Sequence, residues 1–121
     1  MAFKINGIEF KKPSTFKIER YLVTNMERLA NADMVGDIIA KKRKFYFTYE
    51  TLSAAELEHI LGLIWEIDTL FYPFEYEENG VAKKAIVYSG SIPSELAKVH
   101  GKMSNPSNWV WKNVTFNLIE R

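Results

Sequence analysis

Alternating apolar and polar residues predict β-strands over most of the chain. Near the start, Phe3, Ile5, Ile8 and Phe10 flank Asn6-Gly7, a pair that suits a two-residue turn because both central residues need positive φ. Asn79-Gly80 marks a second predicted hairpin in the same way. The longer predicted strands lie at about Phe16–Val23, Ile38–Glu50, Phe71–Glu77, Val81–Ser89 and Trp109–Ile119.

The last of these strands sorts its residues onto two faces. One face is predicted to carry Val110, Val114, Phe116 and Leu118, and the other Trp111, Thr115 and Asn117. Trp109 shares a face with Trp111. Both a place in the core and a place at a contact between subunits fit this tryptophan pair.

One segment has the period of a helix instead of a strand. Ser53 and the residue three positions later, Glu56, form a capping box, and Leu52 stands where a hydrophobic staple to Leu57 is expected. We therefore expect one α-helix at about residues 53–68. Its apolar face repeats at i, i+3, i+4 and i+7 and comprises Leu57, Ile60, Leu61 and Ile64.

Two segments show neither the alternation of a strand nor the period of a helix. In residues 24–37, Thr24 and Glu27 have the spacing of a capping box, so a short helix is an alternative. Asn31, Asp33 and Gly36 favour a long loop, which is our prediction, and loops of that length usually bind something. Residues 90–108 are also predicted to form a loop, with one helical turn at Ser94–Lys98 as an option.

The predicted order is β-β-loop-β-α-β-β-loop-β, within a single domain at residues 1–121. One helix against mostly antiparallel strands predicts an α+β fold, either a β-sandwich or an open barrel with one flanking α-helix.

The composition excludes several classes of function but does not identify the function. The chain has 16 Lys+Arg against 15 Asp+Glu, and this balance argues against a dedicated DNA-binding module. Without cysteine there is no disulfide, thiolate metal site or cysteine nucleophile. The longest nearly uncharged stretch, around Ile60–Trp65, is far shorter than a membrane span, so no membrane partner is expected.

Candidate catalytic residues are few and poorly arranged. His59 and His100 have no second histidine at metal-ligand spacing, and a structural or exposed role is the simplest interpretation. Glu75, Glu77 and Glu78 could pair as in glycosidases, but a solvated hairpin end explains them better. No nucleophile elbow or glycine-rich phosphate loop is present. We therefore predict no enzyme, no cofactor and no metal site.

The densest charge is the basic run Lys41, Lys42, Arg43 and Lys44. Neighbouring residues on a strand point to opposite faces, so the run does not form one continuous patch. A solvated, projecting strand end is the simplest interpretation. A salt-bridging surface for an acidic neighbouring subunit is the alternative.

Three segments in order carry a family resemblance: FKINGIEFKKPSTFKI, NADMVGDIIAKKRKFYFTYETLSAAE and WKNVTFNLIER. Together they resemble small tail proteins from long-tailed phages and prophages of Gram-positive bacteria. Those proteins carry N-G-x-M-x-x-D-x-I-A-x-K-R-K-L, a helix opened by Leu-Thr/Ser-x-x-E, and a closing W-x-x-L-x-F-N-L-I-E. Here the patterns fall on Asn31–Phe45, Leu52–Glu56 and Trp111–Glu120, leave residues 66–105 uncovered, and depart from the family at Asp33.

The resemblance implies a fold similar to tail-tube and distal-tail proteins, in which six copies close into a ring around a DNA channel. It implies a structural tail subunit (tube, terminator or distal adaptor) that self-assembles without catalysis. Its partners would be itself and other tail proteins, with DNA only as cargo of the pore. It would be located in the virion tail, and in the host cytoplasm during assembly.

In that family a long loop between early strands reaches the neighbouring subunit, and residues 24–37 occupy its place. The resemblance therefore predicts an intersubunit contact through this loop, and the residue patterns above add two further candidate interfaces. The three sets are Met26, Leu29, Asp33, Met34 and Asp37 in the loop, the basic residues Lys41, Lys42, Arg43 and Lys44, and the aromatic pair Trp109 and Trp111.

A second hypothesis comes from the aromatic residues alone. Trp109, Trp111 and Tyr72 could form a stacking surface for sugars, which would make the chain a carbohydrate- or cell-wall-binding module.

Overall fold

The computed structural model describes residues 3–28, 30 and 34–121. Its strands form an eight-stranded sheet in which every pairing is antiparallel. A single α-helix, α1 (Ala54–Ile64), lies among the described residues. The strands are β1 (Phe3–Ile5), β2 (Ile8–Phe10), β3 (Thr15–Arg28), β4 (Met34–Ser53), β5 (Tyr72–Glu78), β6 (Val81–Ser89), β7 (Glu95–Val99) and β8 (Trp109–Glu120).

Strand β8 organises the sheet, whose order is β2-β1-β5-β6-β8-β4-β3 with β7 also paired to β8. Along one side β8 pairs with β4, and along the other it meets β7 near its start and β6 near its end. The sheet curls so that strands far apart in this order come together. The Phe3 ring of β1 lies 4.9 Å from Phe16 of β3 and 5.8 Å from Phe47 of β4. The predicted combination of a mostly antiparallel sheet with one helix is confirmed.

Both predicted Asn-Gly turns are present. Asn6 and Gly7 have φ of 53° and 77°, and Asn79 and Gly80 have φ of 54° and 76°. Positive φ at both central positions is the geometry that glycine and asparagine tolerate best. These turns fix the β1–β2 and β5–β6 hairpins in register.

Helix α1 begins as predicted and ends earlier. The Ser53 hydroxyl accepts the Glu56 backbone N–H, and the Glu56 carboxylate accepts the Ser53 N–H, which completes the capping box. The predicted end at residue 68 is wrong, because the helix closes at Ile64 with the Trp65 N–H bonded to the Leu61 carbonyl. Its buried residues are Leu57, Ile60, Leu63 and Ile64, so Leu63 takes the predicted place of Leu61, which is only partly buried.

The core is an aromatic layer between the curled ends of the sheet. Phe47 lies at its centre, with ring centroids 4.6 Å from Phe116, 5.6 Å from Phe74 and 5.8 Å from both Phe3 and Phe10. Such contacts add geometric specificity to the hydrophobic gain. The buried residues of this core include Phe3, Ile5, Phe10, Phe45, Phe47, Tyr49, Tyr72, Phe74, Tyr76, Val87, Val114, Phe116 and Leu118.

Both segments predicted to be loops contain strand. Strand β3 continues through residues 24–28 and β4 begins at Met34, so most of residues 24–37 is a paired hairpin. Its register includes Asn25 opposite Asp37 and Glu27 opposite Val35. In residues 90–108 the optional helical turn is absent, since β7 occupies those residues, and a 3₁₀ turn forms at Pro106–Asn108. Pairing with a neighbouring strand overrides weak local preference in both cases.

The predicted faces of β8 hold only for its second half. Val114 lies opposite buried Tyr49, while Trp111 lies opposite buried Leu52, so the inward phase changes between them. Asn113, with φ of 50°, lies at the change. As a result Trp111 packs against the core, and Val110 does not share the fully buried face of Val114.

Among the described residues, no helix is both long enough and apolar enough to cross a membrane.

Replacing Phe47 with Ala should lower the free energy of unfolding by about 3–5 kcal/mol, because it removes a central ring and leaves a cavity. Urea denaturation followed by circular dichroism measures the change. Thr48→Ala is the matched control, since the neighbouring residue is only partly buried, and it should cost less than about 1 kcal/mol. A loss below 1 kcal/mol for F47A would contradict the central role of this ring.

Candidate assembly interface

The hairpin of β3 and β4 is longer than the sheet that supports it. The strands have 14 and 20 residues, and the last pairing of β8 with β4 joins Ile119 to Lys44. Beyond that point β4 pairs only with β3. We call residues 22–28 and 34–41 the arm, and at about 3.3 Å per residue it extends about 20 Å from the body.

One face of the arm continues the inner face of the sheet. Cross-strand pairs place Phe16 with Phe47 and Ile18 with Phe45 in the core, and the same alternation continues outward into the arm. There Thr24 and Lys41 share the inner face with four exposed apolar residues: Leu22 (53%), Met26 (61%), Met34 (52%) and Ile38 (56%). This is an unburied continuation of a hydrophobic face.

Gly36 has a packing role on this inner face. It lies opposite Met26, and a Cβ at Gly36 would lie 2.6 Å from the Met26 Cγ. The absence of a side chain therefore lets Met26 lie flat across the neighbouring strand.

The outer face of the arm mixes polar residues with Val23, Val35 and Ala40. Asn25 pairs with Asp37, and Glu27 pairs with Val35. A β-bulge interrupts the register, because Val23 lies opposite Ala40 while Thr24 lies opposite Ile38. Ile39 is the extra residue and is 66% exposed. The arm thus has its most exposed paired apolar side chains on the inner face, and it bends at its base.

Arg43 closes the core where the arm begins. Its Nη2 lies 2.7 Å from Glu120 Oε2 and its Nε lies 3.2 Å from Oε1, which is a two-point contact. Its Nη1 also donates to the Tyr76 hydroxyl at 2.5 Å. The hydrogen bonds from Arg43 lower the pKa of Glu120 below its ordinary value, and those to Glu120 raise the pKa of Arg43.

The four residues of the basic run divide between the two faces. Lys41 and Arg43 lie on the inner face, opposite Leu22 and Arg20, whereas Lys42 and Lys44 lie on the outer face. Lys42 donates to the backbone oxygen of Arg121, and Lys44 lies 5.2 Å from the Tyr21 ring centroid. A cleft of about 540 Å³ lies between the run and β3, lined by Arg20, Tyr21, Leu22, Lys41, Lys42, Arg43 and Glu120.

The predicted loop residues separate by face. Met26 and Met34 lie on the inner face and Asp37 on the outer face, while Leu29 and Asp33 lie outside the described residues. Sequence reasoning missed Leu22 and Ile38 on the inner face, and the bulged Ile39, as exposed apolar residues of the arm. The signal for Leu22 is its even spacing from Phe16 and Ile18, whereas Ile38 and Ile39 lie at a bulge that periodicity does not reveal.

The aromatic pair lies far from the arm. Trp111 is opposite Leu52, eleven residues along β4 from Lys41 and thus about 35 Å away. The Trp109 and Trp111 rings stack at 5.9 Å, and the Trp109 indole N–H donates to the Met103 carbonyl at 2.9 Å. A cleft of about 380 Å³ adjoins them, lined by Ala54, Glu58, Met103, Pro106, Trp109 and Trp111. Tyr72 is buried and so cannot join this surface.

The other chemical candidates lie in ordinary structural settings. His59 Nε2 is 2.8 Å from the Glu9 carbonyl oxygen. Glu75 pairs across strands with Lys84 and Lys4, and Glu78 bonds to Lys83 at 2.7 Å and also to Arg20. Within residues 3–28, 30 and 34–121, no group of three or more acidic or histidine side chains could hold a metal ion.

Comparison of the chain with protein-family models, curated proteins and solved structures finds no match in any of the three. The arm and its base therefore have to be interpreted from their own geometry.

Replacing Glu120 with Gln should lower the free energy of unfolding at pH 7 by about 2 kcal/mol, because a charged, two-point partner of Arg43 is lost. The pKa of Glu120 is lowered in the folded chain, so its contribution is complete above the ordinary value of 4.5. As the pH falls through the folded pKa, that contribution disappears. The difference between wild type and variant should therefore shrink at pH 3.

Urea midpoints at pH 7, 5 and 3 measure this difference. Glu50→Gln is the control, because Glu50 is exposed and forms no ion pair within the described part of the chain. A difference for E120Q that does not change with pH would rule out the charged pair as its origin.

Proposed function

We propose that this chain is a structural subunit of a phage tail that assembles with copies of itself through the arm, without catalysis. The resemblance of three ordered segments suggests the tail. The observation that carries self-assembly is the arm itself, a paired hairpin whose inner face is apolar and uncovered.

The energetic reason is the cost of leaving such a face in water. Burial of an apolar side chain of this size contributes about 1.5–3 kcal/mol. Burying the four exposed apolar side chains of the arm's inner face against a partner would therefore contribute several kcal/mol to association. Within the described residues nothing from the same chain covers them, so a second molecule is the natural source of burial.

The charge of the chain is compatible with this role. The formal net charge is +1, so copies repel one another little. The outer face of the arm carries Glu27 and Asp37, which keep that side solvated. The more exposed apolar side chains of the paired strands lie on the inner face, which favours association through that side of the hairpin.

Removing the arm should abolish self-association and leave the body folded. Val23 and Ala40 are paired directly, so residues 24–39 can be replaced by Asn-Gly, which closes a short hairpin. We expect wild type to associate with rising concentration and to form rings in negative-stain images. The shortened chain should stay monomeric, because Met26, Met34 and Ile38 are gone and only Leu22 remains of the exposed apolar inner face.

Light scattering after size exclusion, over a wide concentration range, measures the mass of both proteins. Far-ultraviolet circular dichroism controls for folding, and Glu27→Gln controls for change on the outer face of the same arm. Equal association of the shortened chain and wild type would show that the arm is not the contact. A wild type that neither associates nor forms rings at any concentration would contradict the proposed function.

A carbohydrate-binding module is the second candidate, favoured by the stacked Trp109 and Trp111 beside their cleft. Sugars stack on such aromatic faces, and binding would change tryptophan fluorescence. Titration with a broad glycan panel tests this, with Trp109→Ala expected to remove the response. The absence of any response would eliminate this candidate.

A further inference from the structure

A second exposed apolar surface lies in residues 65–71, between α1 and β5, which we call the Trp65 segment. Trp65 is 71% exposed, Leu70 67% and Phe71 39%. Large apolar side chains at such exposure within one short segment are uncommon on a monomer. Like the arm, this segment presents more hydrophobic surface than the body can cover.

The Trp65 segment is held in place at several points. The Trp65 N–H donates to the Leu61 carbonyl at 2.8 Å, and Ile67 packs against the core. Phe71 meets Tyr88 edge-on at 5.8 Å and lies 5.0 Å from the Arg121 guanidinium carbon. A supported surface loses little conformational entropy on binding, which favours a docking role.

The charges of the two surfaces are complementary. The Trp65 segment carries Glu66 and Asp68, and neither forms an ion pair with any described residue. At the base of the arm, Lys41 lies on the apolar inner face and is likewise without an ion pair among the described side chains. Glu27 and Asp37 lie on the opposite face, where they do not meet the acidic segment.

We infer that the inner face of the arm docks on the Trp65 segment of a second copy of this chain, with Lys41 placed against Glu66 and Asp68. This inference rests on the proposed function and names the receiving surface. Arm and receiver are different surfaces, so each contact leaves one arm and one receiver unused. Such head-to-tail contacts close into rings or continue as filaments.

One such contact is small. An arm about 20 Å long and two strands, or about 10 Å, wide offers on the order of 200 Å² per face. A stable interface needs roughly 800 Å² from each partner. A single contact is therefore weak, and chemical crosslinking is a better first readout than a binding curve.

The natural absence of cysteine allows a clean crosslinking test. Chains carrying only M26C on the inner face are mixed with chains carrying only L70C, and a short bismaleimide is added. We expect a crosslinked dimer at least fivefold above two controls. In the first control, E27C on the outer face replaces M26C. In the second, V81C replaces L70C, because Val81 is an exposed apolar residue on another hairpin.

Charge reversal tests the ionic part of the contact. K41E added to the M26C chain should reduce the crosslinked yield severalfold. E66K and D68K added to the L70C chain should restore it, because the pair is reformed with opposite signs. A loss without recovery would show that Lys41 does not face these acids.

The outcomes separate the receiving surface from self-assembly itself. Yields equal to those of both controls, in a chain that still associates through its arm, would overturn the Trp65 segment as receiver. Strong crosslinking of M26C to itself would replace it with an arm-to-arm contact. If wild type does not associate and no pair crosslinks, the proposed function has failed as well.

Discussion

The β3–β4 hairpin imposes the constraint on which the rest of the structure depends, because its inner face is longer than the layer that packs on it. Near Phe47 that face is covered by aromatic rings of β1, β2 and β5, and the aromatic core forms there. Beyond Lys44 no third strand pairs with it among the described residues. A continuous apolar face divided in this way needs a polar boundary between the part that is covered and the part that is left in water.

Arg43 is that polar boundary. It lies in register with the core residues of β4, yet it holds Glu120 and Tyr76 in place of another apolar contact. Its guanidinium also lies 5.7 Å from the Phe45 ring and 5.8 Å from the Tyr76 ring. A partly buried charge of this kind is tolerated because Nε, Nη1 and Nη2 each donate to a partner. The core can therefore be complete and stable while the strand continues into solvent.

The sequence predicted the parts that rest on short-range rules and missed those set by pairing across the chain. The Asn-Gly turns and the Ser53 capping box need only a few adjacent residues, and both are present. Residues 24–37 contain asparagine, aspartate and glycine, which locally favour a loop, but ladder pairing and the space that Gly36 leaves for Met26 make most of them strand. The basic run was identified from sequence, whereas its division between two faces depends on register. The exposure of Leu22 and Ile38 was not predictable, because periodicity does not reveal where a covering layer stops.

The bulge at Ile39 has a consequence for symmetry. One extra residue on β4 increases the local twist and turns the arm relative to the body. If the arm carries the contact between copies, that angle also fixes the rotation from one subunit to the next, and a ring closes only when equal rotations add up to a full turn. The number of subunits in a ring would then be encoded in the backbone geometry of a single residue, independently of how tightly any pair of subunits binds.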